Sequence, residues 1–235
     1  MPRFFCNSPP VGNAISLFGE DAVHIGRSLR MRLGDVITVC HDKTDYSCKI
    51  LKISDEAIEL EVISQSPSPE PSVSVTLFMA DKLELIVQKA TELGAVEIVP
   101  VLTQRCVSRP EQKQFAKKRE RLAKIALEAA KQSGRGIVPT VSDIISLECC
   151  IEKMRAMDLG LVCYEKGGKS LGKFRYSPGD SVGVLIGSEG GFSEEEIALC
   201  EQNGIKKIWL GERILRCETA PISAISIIMH LSGNM

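Results

Sequence analysis

The heptapeptide GSEGGFS at 187–193 follows an apolar run and places Gly187, Gly190 and Gly191 where a ligand could reach the backbone. Glycine leaves main-chain groups uncovered by a Cβ. The helix that should follow opens on Glu194, Glu195 and Glu196. Ser193 and Glu196 have capping-box spacing, so this helix supplies an anion to its own orphan N–H groups. A phosphate would be repelled there, whereas a neutral or cationic ligand suits the loop. The glycines also match neither the dinucleotide fingerprint nor the phosphate-binding loop ending in Gly-Lys-Ser/Thr. A tight strand-to-helix turn is the structural alternative. A second segment, LGERILRCETAP at 210–221, sets Arg213, Arg216 and Glu218 among the apolar Leu210, Ile214 and Leu215. A guanidinium stabilises negative charge as it develops on a substrate. A carboxylate orients such a group, or acts as a base when burial raises its pKa. A purely structural Arg–Glu pair is the competing reading.

Strands at 182–186 and 207–210 must deliver these two loops. They belong to an alternation of strands (73–79, 96–101, 136–141, 159–163) with helices, which implies α/β architecture and a mostly parallel sheet covered on both faces. The first helix is expected from Asp81 as cap, with Glu84 completing a capping box and Gly94 as the stop. A long helix over 111–132 turns Phe115, Leu122, Ile125, Ala126 and Ala129 inward. The last helix starts at Thr219 as N-cap and carries Ile222, Ile225, Ile228 and Met229. Ahead of this half, short β-prone runs at 36–40, 46–51 and 57–63 predict a small barrel. The stretch SQSPSPEPS at 64–72 reads as a linker, because its prolines disrupt a helix or central strand. His24, Arg27 and Arg30 recur at i, i+3 and i+6, so one helical face could present them as a solvated face or as a cationic contact with nucleic acid.

Composition sets the outer limits. The chain has 235 residues, 44% hydrophobic and 25% charged, an ordinary globular mixture. No apolar run approaches the roughly 18 residues of a membrane span. The N-terminal MPRFFCNSPPVG lacks a signal-peptide core, so a cytoplasmic location is expected. Nine cysteines without a Cys-x-x-Cys pair, and three unpaired histidines, predict reduced thiols and no metal site. The net charge of −1 conceals an imbalance: residues 103–139 hold ten Lys/Arg against three Asp/Glu, whereas residues 1–72 hold seven against ten. The basic run is either a solvated helix face or a surface that tracks a phosphate backbone.

Three sets of residues together resemble the 16S rRNA uridine N3-methyltransferase family (RsmE) of the knotted SPOUT methyltransferases. They are QKATELG at 88–94 with IVP at 98–100, EAAKQSGR at 128–135 with Pro139, and the pair IGSEGG at 186–191 and LGERILRCETA at 210–220. HIGRSLR at 24–30 is similar to the family's first domain. One departure is Ser188, where the family usually has proline, which leaves the loop less rigid. The resemblance implies a PUA-like β-barrel over 1–68 that helps hold RNA, and a SPOUT domain with a trefoil knot over 73–235. It implies S-adenosylmethionine bound by Leu185, Ile186, Gly187, Glu189, Gly190 and Gly191 of the first loop and Leu210, Gly211, Ile214, Leu215 and Thr219 of the second. The sulfonium of that cofactor is the cation the acidic surroundings would tolerate. A homodimer with the active site across its interface is also implied.

On this reading Arg213 or Arg216 polarises the uracil, and Glu218 or Glu189 orients the base or the arginine. Cys217 could attack a pyrimidine C6 and drive C5 methylation, but N3 chemistry needs no adduct, and packing is the reading adopted. Arg27, Arg30, Arg109, Lys117, Lys118 and Arg121 are the expected phosphate contacts with the small ribosomal subunit. The rivals are a knotted methyltransferase acting elsewhere on RNA, such as a ribose 2′-hydroxyl, and a non-catalytic rRNA-binding assembly protein. A dinucleotide-dependent oxidoreductase is disfavoured, since the strand at 73–79 runs into Ala80, Asp81 and Lys82 with no glycine fingerprint.

Overall fold

The computed structural model describes residues 1–54, 56–80 and 83–235. The chain forms two compact units, one made of Met1–Glu70 with Ala130–Ile137, the other of Pro71–Ala129 with Val138–Met235.

The first unit contains β1 (Arg3–Phe5), β2 (Ala14–Phe18), a short α1 (Glu20–Val23), β3 (Val36–His41), β4 (Thr44–Ile53) and β5 (Ala57–Pro67). They form one sheet in the order β1-β3-β4-β5-β2, antiparallel except for β1 against β3. Register shifts leave Ile63 of β5 and Leu51 of β4 unpaired and bend both strands, as bulges do, curling the sheet around Ile15, Leu17, Ile37, Val39, Ile50, Ile58 and Leu60. Two expectations are corrected here. The segment 64–72 is not wholly a linker, because β5 continues to Pro67. Past Glu61 its only strand partner among the described residues is β4, so its outer side is an edge where proline removes no ladder hydrogen bond. His24, Arg27 and Arg30 do not share a helical face either. Residues His24–Ser28 wind as a π-helix, whose wider turn changes the spacing, and Arg30 lies beyond it with φ 51°.

Residues 130–137 pack into this first unit. Arg3 Nη2 donates to the Gly134 carbonyl at 2.6 Å and its guanidinium pairs with Asp45. Lys131 pairs with Asp21 at 3.1 Å and lies 5.4 Å from the Phe4 ring centroid. The Glu70 carboxylate accepts from Arg135 Nη2 at 2.6 Å and from the amides of Gly136 and Ile137 at 2.6 and 2.9 Å. These bonds hold 136 and 137 out of any strand. The run expected at 136–141 is therefore a strand only at Thr140–Val141.

The second unit runs β6 (Ser74–Met79), α2 (Leu83–Glu92), β7 (Ala95–Leu102), α3 (Gln112–Ser133, which ends in the first unit), β8 (Thr140–Val141), β9 (Ile145–Ser146), α4 (Leu147–Arg155), β10 (Leu159–Cys163), β11 (Ser181–Ile186), α5 (Glu194–Gln202), β12 (Lys206–Ile208) and α6 (Thr219–Leu231). The sheet is parallel in the order β12-β10-β11-β6-β7-β8, with β9 also on β7. Strand alternation splits its side chains into two cores. Val75, Leu77 and Met79 of β6 and Val182, Val184 and Ile186 of β11 face α2, α3 and α6, while Phe78 and Leu185 face α4 and α5. Gly94 ends α2 at φ 101°; the Asp81 cap expected ahead of it lies outside the described residues. Thr219 is the first residue of α6 rather than its N-cap, a position held by Glu218 without a side-chain cap bond.

All nine cysteines are free thiols, and six are buried. Burial pushes the Cys48 thiol up to about 11 and the Cys200 thiol up to about 12. Among the described residues no helix is long and apolar enough to cross a membrane.

Candidate active site

Because β10, β11 and β12 are parallel neighbours, the loops that leave their C-terminal ends gather at one edge of the sheet, where open α/β folds hold ligands. There they enclose a cavity of about 480 Å3, within the usual range for small-ligand sites. The end of β10 and its loop contribute Cys163, Tyr164 and Glu165; the end of β11 and its turn contribute Ile186 through Phe192; the segment after β12 contributes Trp209 through Cys217; and Ala220 comes from α6.

The β11 turn is closed by its glycines. The Gly191 amide donates to the Ser188 carbonyl at 2.9 Å. A Cβ at Gly187 would sit 3.1 Å from the Phe192 ring and 3.2 Å from the Gly191 backbone. Gly191 has φ +67°, and a Cβ there would point at the Glu165 carboxylate, 3.4 Å away. The expected capping box is present: Ser193 Oγ accepts from the Glu196 amide at 3.2 Å, and Glu196 Oε2 accepts from the Ser193 amide at 2.9 Å. Glu196 does more than cap. It is buried, and its other oxygen accepts from the Gln104 amide at 2.6 Å, tying the loop after β7 to the turn. Arg105 donates to the Gly190 carbonyl at 2.8 Å, and Ser188 Oγ donates to the Arg105 carbonyl at 3.1 Å. The looseness expected from serine in place of proline is thus offset by a tether that proline could not make.

The charges at the cavity are Glu165, Glu189 and Glu212 against Arg213 and Arg216. The Glu194 carboxylate stays ionised, since Lys166 pairs with it at 2.8 Å and holds its carboxyl below the usual range, and the lysine partly offsets its charge. Cys217 is buried and donates to Glu218 Oε2 at 3.2 Å.

Of the residues expected at the cofactor, Ile186, Gly187, Glu189, Gly190, Gly191, Leu210, Gly211, Ile214 and Leu215 line the cavity, as do Arg213 and Arg216. Leu185, Glu218 and Thr219 are not among its lining. The Leu185 side chain points to the opposite face of the sheet from Ile186, and Thr219 is exposed at the start of α6. The sequence reading missed Tyr164, Glu165 and Trp209. Only the strand order brings the end of β10 beside β11 and β12, and no local signal marks it.

The expected phosphate contacts divide between the units. Lys117 and Lys118 are exposed on α3, where Lys113, Lys117, Arg121 and Lys124 recur along one exposed face. Arg121 pairs with Glu84, and Arg109 donates to the carbonyls of Thr103 and Gln104 at 2.7 and 2.8 Å. Arg27 and Arg30 are exposed in the first unit. Among the described residues no cluster of three or more His, Cys, Asp or Glu side chains could hold a metal.

The fold and the cavity define a class. A model of an RNA methyltransferase domain matches residues 66–229, and a model of an RNA methyltransferase PUA domain matches residues 18–63. This is the PUA-plus-SPOUT arrangement of RNA methyltransferases. The chain belongs to the ribosomal RNA small subunit methyltransferase E family. It is 36% identical over 230 residues to the Bacillus subtilis protein of that name, covering 92% of this chain and 89% of the relative. The corresponding Aquifex aeolicus protein is 29% identical, with 93% and 95% covered. The crystal structure of a ribosomal RNA small subunit methyltransferase E from Neisseria gonorrhoeae bound to S-adenosyl methionine superposes with a TM-score of 0.89 at 30% identity, covering 99% of this chain and 98% of that one. A putative methyltransferase from Legionella pneumophila, in complex with the same cofactor, superposes with a TM-score of 0.87 at 28% identity, covering 98% and 97%.

Proposed function

We propose that this chain methylates N3 of a uridine in 16S ribosomal RNA, using S-adenosylmethionine, and that it does so in the cytoplasm as a homodimer. In this reading residues 1–68 help hold the RNA, and residues 73–235 form the catalytic domain with a trefoil knot. The observation that carries the reading is the cavity of about 480 Å3 walled by the loops at the ends of β10, β11 and β12 and charged by three carboxylates and two guanidiniums. The bound cofactor supplies an electrophilic methyl group on a positively charged sulfur. Gly187 and Gly191 let the turn close tightly on itself, which sets its backbone groups at the cavity wall for such a ligand. Ile186, Leu210 and Leu215 offer apolar faces to a purine, and the carboxylates Glu165, Glu189 and Glu212 tolerate the positive charge.

Uridine N3 becomes nucleophilic when its proton passes to water or to a carboxylate at the cavity and the charge spreads to O2 and O4. A guanidinium donating to either oxygen stabilises that anion most as it forms. Arg213 and Arg216, both exposed at the cavity, fill this role, and Glu218 holds the local geometry through its bond to Cys217. The test is labelled methyl transfer to small subunits that lack native modifications, followed by nucleoside identification. Label on N3-methyluridine is expected. Label on a ribose hydroxyl would move the target, and subunit binding without transfer would leave an assembly protein.

Two further results are expected. Cys217→Ser should keep turnover within about threefold, because a hydroxyl replaces the thiol as donor to Glu218 at similar or better strength. Complete loss, with cofactor binding intact, would point to a cysteine adduct and C5 methylation. RNA affinity should fall about 50- to 150-fold between 50 and 200 mM salt if roughly four phosphates are contacted. An affinity unchanged over that range would remove the lysine face of α3 from the reading.

A further inference from the structure

Trp209 is the chain's single tryptophan. It follows β12 and lines the cavity, yet it keeps 36% of its surface exposed. The other lining aromatics, Tyr164 and Phe192, are 9% and 2% exposed and belong to the core beneath α4 and α5. Ile208, one residue earlier, is fully buried. Strand alternation thus spends Ile208 on the core and turns the indole outward. Ile214, 83% exposed, lines the same cavity. Large apolar side chains left open at a concave site mark a place where a ligand covers them.

The indole's backbone is firmly mounted. The Trp209 amide donates to the Lys169 carbonyl at 3.1 Å, and the Lys169 amide donates to the Lys207 carbonyl at 2.9 Å, making a parallel bridge between Lys169 and Ile208. Gly168 permits this contact: a Cβ there would lie 2.7 Å from the Ile208 carbonyl carbon. A wide aromatic face on a braced backbone is the usual device for receiving an unstacked base. The deep wall, made of the buried Ile186, Gly187 and Ser188, is left to the cofactor. A base drawn out of the RNA arrives from solvent and meets the exposed rim.

We infer that the Trp209 indole is the platform on which the target pyrimidine stacks as it enters the cavity. The inference rests on the methyltransferase reading above and names a substrate-binding residue for it. The stack replaces part of the stacking the base loses when it leaves its RNA neighbours. The ring fixes the plane of the pyrimidine, and the choice of atom is left to the groups at its edge.

The test compares wild type with Trp209→Ala, Trp209→Leu and Trp209→Phe. Trp209→Ala should raise KM for undermodified small subunits about 5- to 100-fold, with S-adenosylmethionine affinity by calorimetry changed less than twofold. Trp209→Leu, which keeps apolar volume without a ring, should resemble alanine, and Trp209→Phe should recover most of the loss. Emission from the single tryptophan reports on this site alone. A short single-stranded oligouridylate should quench it, and an abasic oligomer of equal length should not. Unchanged KM in the alanine and leucine variants, or equal quenching by the two oligomers, overturns the inference. An equal loss of cofactor affinity also overturns it, by assigning the indole to the adenine ring. If the wild type transfers no methyl group, the functional reading fails, and the oligomer comparison still decides whether a base stacks on Trp209.

Discussion

Arg216→Ala is expected to lower kcat about 100- to 1,000-fold while changing the affinity for S-adenosylmethionine less than threefold. The magnitude is that of deleting one preorganised donor aimed at developing negative charge. The two arginines at the cavity differ in setting. Arg216 stands next to the buried Cys217 and two residues before Glu218, where the chain enters α6, whereas Arg213 lies in the exposed stretch after Gly211. Arg216 has the better-held backbone, its carbonyl accepting from the Thr219 and Ala220 amides at 2.9 and 3.0 Å, and should show the larger effect, with Arg213→Ala weaker. Lysine at 216 should recover only part of the rate, because an ammonium cannot reproduce a planar two-donor fork. Single-turnover kinetics with saturating cofactor would measure the chemical step. Unchanged turnover in both alanine variants would end the assignment of either arginine to the uracil.

Glu70→Ala is expected to destabilise the first unit by about 3–5 kcal/mol. The Glu70 and Arg135 side chains are only 11% and 4% exposed, so water does little to screen the pair or to replace a lost partner. Alanine removes the carboxylate facing a buried guanidinium and also strips the Gly136 and Ile137 amides of their acceptor. Glu70→Gln keeps an acceptor for the amides and should cost about half as much. A thermal melt should show a fall on the order of 10 °C for the alanine variant. A shift under about 2 °C would mean that the 130–137 segment is held mainly by Arg3 and Lys131.

Local chemistry made much of the parallel unit legible. The capping box at Ser193 and Glu196, the apolar stripe of α3 and the run at 182–186 each depend on neighbours within a few residues, and each stands where its pattern put it. The misses have a common origin in long-range contacts. Prolines at 67 and 69 read as a linker, yet Pro67 ends a strand because the open side of β5 asks nothing of its missing N–H. Residues 136 and 137 read as a strand, yet their amides go to Glu70, some 66 residues earlier in the chain. HIGRSLR reads as one helical face, and the π-helix together with a left-handed Arg30 breaks that spacing.

The sequence by itself determined the glycine turn and the self-capped acidic helix that follows it, since residue types and spacing settle both locally. Only the tertiary structure decided which groups share the cavity. The order β12-β10-β11 brings Glu165 against Gly191 and opens Trp209 at the rim, and it turns Leu185 away from the site. Strand order is chosen by the burial of whole helix and sheet faces, a sum over residues far apart in the chain, so no single segment encodes it.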